Sequence, residues 1–75
     1  MPNVKTDIEI GHRAYSECLK HYGTVARATT CLGMSRKAMF PWYAEGVAPS
    51  ARLLARMARQ GVDVLYILTG KRTTT

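Results

Sequence analysis

Seventy-five residues, 47% of them hydrophobic and 21% charged, with a formal net charge of +6, describe a small globular chain rather than a disordered one. No apolar run approaches the roughly 20 residues of a membrane span, and Met1-Pro2-Asn3-Val4-Lys5 lacks the apolar stretch of a secretory signal, so a cytoplasmic protein without a membrane partner is expected. A chain of this size buries only about 60% of its unfolded surface, which leaves room for one core and one domain, residues 1–75, packed over about 8–70.

The apolar spacing predicts five helices and no strand. Behind a Thr6-Asp7 cap, Ile8, Ala14, Tyr15, Cys18, Leu19 and Tyr22 fall at helical spacing, with Gly11 a weak point, and the helix ends near Tyr22. After Gly23-Thr24 a second helix covers Val25 to Cys31, and a third runs from about Arg36 to Tyr43. Glu45 to Pro49 reads as a loop that flexes at Gly46. The fourth helix begins at Pro49 or Ser50 and ends before Gly61. Its Leu53, Leu54, Met57 and Ala58 form a core stripe, and Arg52, Arg56 and Arg59 form a row on the other side, which reads as a solvated face. Asp63 caps a short last helix, Val64 to Leu68, Gly70 stops it, and Lys71 to Thr75 reads as a loose tail.

Thr24 to Trp42 carries the most information. Thr29, Gly33, Met39 and Trp42 lie four, six and three residues apart, the spacing of a helix-turn-helix. Where two helices cross closely the first must be small at the crossing, which Ala28-Thr29 supplies. Gly33 can take the left-handed conformation that costs other residues about 1 to 2 kcal/mol, and Ser35 suits the N-cap of the next helix. Met39 and Trp42 share an inward face. Arg36, Lys37 and Phe40 remain on the opposite one.

Charge is placed unevenly. Four basic and three acidic residues up to Met34 give +1, whereas seven basic and two acidic residues from Ser35 onward give +5. Such a half-chain suits a polyanion, whose condensed counterions are released on binding, or else it is a solvated basic face kept for solubility. Cys18 and Cys31 with His12 and His21 contain no C-x2-C or H-x3-H pair, so no metal and no other cofactor is expected. Gly70-Lys71 lacks the spacing and the following hydroxyl of a phosphate loop. Without paired carboxylates or an activated nucleophile, an enzyme is not expected.

The helix-turn-helix, the proline Pro49 seven positions after Trp42, the run Leu53-Leu54-Ala55-Arg56-Met57-Ala58 and the ending Gly61-Val62-Asp63-Val64-Leu65-Tyr66-Ile67-Leu68-Thr69-Gly70 together resemble the DNA-binding domain of phage CI-type repressors, in the lambda-repressor-like Cro/CI group. The resemblance covers roughly Ile8 to Arg72. It implies an all-α, compact five-helix domain that binds a double-stranded operator, usually as a homodimer, to regulate transcription. Thr24 then matches a phosphate-holding position. Ser35, Arg36 and Lys37 match early recognition-helix positions that reach base edges and flanking phosphates, and Phe40 matches the next outward position. Arginine pairs with guanine and a phenyl ring can lie on a thymine methyl; Tyr43 could give its hydroxyl to a phosphate. Phe40 could instead be core, as large aromatics usually are. In the last helix, Val64 or Ile67 could pair two copies across a twofold axis. A protein-binding module of antirepressor or antitoxin kind, with a regulatory protein as partner, is the alternative.

The chain departs from the group at Thr29, where alanine is common, at Val25, where a polar residue is common, and at Pro41 inside the third helix. Pro41 lacks an N–H and crowds the Lys37 carbonyl, so that helix should be short, kinked or broken after Met39.

Overall fold

Four helix starts are fixed by side chains that suit the task. In the computed structural model, which describes residues 4–72 and side chains from residue 9 onward, the helices are α1 Val4–Tyr22, α2 Val25–Leu32, α3 Arg36–Ala44, α4 Ala51–Arg59 and α5 Val64–Thr69. The Thr24 and Ser35 hydroxyls accept from the N–H of Arg27 and Ala38, each at 3.1 Å. Ser50 accepts from Leu53 N–H at 3.3 Å and Asp63 from Tyr66 N–H at 3.0 Å. Each cap satisfies an N–H that the first turn leaves without a partner, at about 1 kcal/mol apiece. The molecule is thus all-α, and no strand occurs among the described residues.

Helix α1 begins one turn before the expected Thr6-Asp7 cap. A cap-type residue marks a start only where the backbone before it leaves the helical region, and here that backbone is already helical. Of the expected tail, residues 73–75 lie outside the described residues, while Arg72 is tied back onto the fold.

Helix α2 ends in a left-handed Gly33, φ 67°, with Met34 N–H donating to Thr29 O at 2.9 Å and Gly33 N–H to Thr30 O at 3.2 Å. This is the Schellman pattern, which satisfies the last carbonyls and turns the chain. Glycine, which has no Cβ, takes that φ at little cost. Helix α4 ends the same way at Gly61, where Val62 N–H reaches Met57 O at 3.0 Å, and the Val62 and Met57 side chains both enter the core.

Every helix contributes to that core: Ala14 and Cys18, Ala28 and Leu32, Met39 and Trp42, Met57, then Val62 and Ile67. Helix α1 lies against α2, α3 and α5, and α4 closes the bundle against α2 and α5. Gly11 is a packing requirement rather than a weak point. A Cβ there would stand 2.5 Å from the Gly46 carbonyl oxygen and 2.7 Å from that of Val47, so only glycine lets α1 pass the loop after α3. Buried Thr29 keeps its hydroxyl satisfied within α2, donating to Val25 O and Ala26 O at 3.0 Å, and so fits where alanine was the simpler choice.

Helix α3 runs through Pro41 to Ala44 instead of breaking after Met39. The carbonyl that loses its donor belongs to Lys37 near the exposed start of the helix, where solvent can take the place of the missing N–H. The expected pairing residue Ile67 must also be corrected. It is 0% exposed and sits in the core, and Val64 is half-buried against it. The apolar side chains that α5 leaves exposed are Leu65 and Leu68, at 48% and 43%. No helix among the described residues is long and apolar enough to cross a membrane.

Candidate nucleic-acid interface

Helix α3 is anchored on one side and bare on the other. Met39 and Trp42 are buried in the core, while Arg36, Lys37 and Phe40 are exposed on the remaining surface. Among the described residues Arg36 and Lys37 have no hydrogen-bond or ion-pair partner. Phe40 is 48% exposed, so the alternative that places it in the core does not hold. It lies three and four residues after Lys37 and Arg36, which puts it on their stripe one turn further along.

The ring of Phe40 does not hang free. Tyr43 meets it edge-on, with centroids 5.0 Å apart and planes at 72°, and Tyr43 in turn lies 4.6 Å from Tyr15 of α1. Such pairs prefer edge-to-face or tilted geometry because the positive ring edge meets the negative face. The three rings form a buttress from α1 to the outer side of α3. Tyr43 is 44% exposed, and its ring serves this support.

Thr24 stands at the other end of α2 from the corner, about 12 Å away along an eight-residue helix. Its hydroxyl oxygen, like that of Ser35, is occupied in accepting a cap hydrogen bond. Each hydroxyl keeps its proton as a donor. Both therefore have a donor to offer an anion while holding a helix start.

The corner between α2 and α3 is clamped from α4. Arg56 Nη1 donates to Leu32 O at 2.6 Å, and Gln60 Nε2 donates to Cys31 O at 3.0 Å, so the last carbonyls of α2 find partners on one neighbouring helix. Gln60 is itself held by α1: Tyr22 Oη donates to its Oε1 at 2.5 Å, and a His21 ring nitrogen meets its carbonyl at 2.9 Å. The row Arg52, Arg56 and Arg59 is thus divided. Arg52 and Arg59 face solvent; Arg56 is a half-buried tie.

Two further arginines are structural. Arg13 donates from Nε to Ile67 O at 2.9 Å at the end of α5 and reaches Glu9 at 3.3 Å. Arg72 bridges nearly buried Glu17 at 2.6 Å and Asp63 at 3.0 Å, with its guanidinium 3.9 Å over the Tyr66 ring. The Tyr66 N–H and Arg72 hold the Asp63 carboxyl below the usual carboxylate range. Glu9, Glu17 and Asp63 are consumed in these pairs. Among the described residues, the positive charge left without an acidic partner on the second half of the chain is that of Arg36, Lys37, Arg52, Arg56, Arg59 and Lys71, of which Arg56 alone is turned inward.

The cysteines do not meet. Cys18 is buried 3.6 Å from the Met57 sulfur and its thiol is pushed by burial up to about 11, whereas Cys31 is exposed. Among the described residues no three metal-ligating side chains come together. Arg13, Arg56, Gln60 and Arg72 are the positioning residues that sequence spacing does not mark, apart from the four-residue step between Glu9 and Arg13. No protein-family profile, curated protein or solved structure matches this chain.

Proposed function

We propose that the protein is a cytoplasmic, sequence-specific DNA-binding transcriptional regulator, a repressor of the phage Cro/CI kind, which lays α3 of a helix-turn-helix into the major groove of an operator. The observation that supports this reading best is the division of α3: two buried anchors on one side, and exposed Arg36, Lys37 and Phe40 on the other. In that pose Arg36 can pair with guanine O6 and N7 in bidentate fashion, and Lys37 neutralises a flanking phosphate. Thr24 and Ser35 donate their hydroxyl protons to backbone phosphates at the starts of α2 and α3, where the helix ends favour negative charge. Tyr43 steadies Phe40 and has its own hydroxyl to offer the backbone.

Two copies meet through the exposed side of α5, with Leu65, Leu68 and half-buried Val64 as the contact, and present two α3 helices to half-sites about one DNA turn apart. The same exposed leucines favour the second reading, a module that binds another protein in the manner of an antirepressor or antitoxin. Selection of bound sequences from a random duplex pool separates the two. The DNA reading expects a twofold-related consensus whose affinity falls steeply with salt; a pool that emerges without sequence preference overturns it and leaves the protein partner.

A further inference from the structure

Folding does not account for Phe40. The chain's one phenylalanine projects nearly half its surface to solvent from the same face of α3 as exposed Arg36 and Lys37, although its neighbours Met39 and Trp42 are sunk in the core. An apolar ring in that place gains little from packing beyond its edge contact with Tyr43. It is nonetheless held: Tyr43 supports Phe40, and Tyr15 supports Tyr43. A ring fixed before binding loses little rotamer freedom on contact, so an apolar partner would gain most of the burial. The partner must also be anionic nearby, since Arg36 and Lys37 flank the ring on the same stripe.

An apolar spot bordered by phosphates exists on the edge of the major groove at the 5-methyl group of thymine. We propose that Phe40 is the specificity-determining residue that reads this methyl group, with Tyr43 and Tyr15 as its positioning residues; this rests on the DNA-binding reading above. The ring seats against the methyl while Arg36 and Lys37 take the adjoining base edge and phosphate. Loss of the methyl removes only apolar contact, so affinity changes without a change in salt dependence.

The test takes the duplex selected from the random pool and replaces its thymines one at a time by uracil, which deletes the methyl and leaves every hydrogen-bonding group in place. With the wild-type protein, uracil at one position in each half-site should weaken binding about fourfold, the weight of one buried methyl group. Phe40→Ala should bind the thymine and uracil duplexes alike with the salt slope of the wild type, and Phe40→Leu should keep part of the preference. Thermal melts of both variants show that they fold. If uracil is neutral at every position on a duplex that is still bound selectively, the assignment to Phe40 is overturned while DNA binding stands. If the Phe40→Ala protein keeps the full thymine preference, another residue reads the methyl. If no duplex is selected at all, both readings fall, and the aromatic surface belongs to a protein partner.

Discussion

Arg56 separates a solvated charge row from a structural clamp, and the two roles differ by a measurable amount. Arg56→Met keeps most of the stem and deletes the guanidinium that donates to Leu32 O at 2.6 Å. The buried end of α2 then keeps a carbonyl with no side-chain partner. A hydrogen bond from a charged donor in such a place is worth about 1.5 to 3 kcal/mol. For a domain of this size about 2 kcal/mol corresponds to about 8 to 16 °C in melting temperature. Arg59→Met is the control, because Arg59 is exposed and substitutions of that kind stay within about 0.5 kcal/mol. The assay is thermal unfolding by far-UV circular dichroism of both variants beside the wild type. If Arg56→Met melts within a few degrees of Arg59→Met, the clamp does not hold the corner and the reasoning from this contact is wrong.

Gly33→Ala should cost about 1 to 2 kcal/mol from its left-handed φ; because the new Cβ would stand 3.0 Å from the Arg56 guanidinium, a double-mutant cycle with Arg56→Met should be non-additive, and simple additivity would deny that contact. Arg36→Ala should weaken binding to the selected duplex by about 1 to 3 kcal/mol and relax preference at one position, whereas Arg59→Ala should weaken all sequences alike, if at all, and lower the salt slope; equal behaviour of the two would remove Arg36 from base reading. The Cys18 thiol, pushed up from its ordinary 9.0 to about 11, keeps its proton in the folded chain where the unfolded chain has lost it. Its contribution is therefore complete below pH 9 and lost as pH rises through about 11. Denaturant unfolding between those values should show the decline, smaller in Cys18→Ala, and an identical decline in both proteins would assign it to other groups.

Much of the fold was legible because its signals are local. Ser35 and Asp63 were expected as caps, Gly33 and Gly61 as stops, and Met39 with Trp42 as an inward pair, since each acts within one turn of the chain. The face of α5 was not legible. A six-residue helix that reads Val64-Leu65-Tyr66-Ile67-Leu68-Thr69 is apolar almost all round, so periodicity cannot tell Ile67, which enters the core, from Leu65 and Leu68, which do not. The arginines were opaque for another reason. Arg56 finds its carbonyl 24 residues away and Arg72 its carboxylate 55 away, and nothing in the spacing of either distinguishes it from Arg59. Pro41 marks a missing donor in the sequence, but whether the helix ends there depends on whether the Lys37 carbonyl is open to solvent, which only the packing decides. At the candidate interface, the outward stripe of Arg36, Lys37 and Phe40 follows from helical period, while the Tyr15–Tyr43–Phe40 stack needs α1 and α3 side by side.

The most direct measurement is an amide-resolved NMR titration of the labelled protein with the duplex selected from the random pool. The account predicts that the largest shifts fall on Ser35 to Phe40 and around Thr24, with the α5 amides little changed beyond any effect of pairing. Shifts confined to α5 or to the outer side of α1, with Ser35 to Phe40 unmoved, would contradict it.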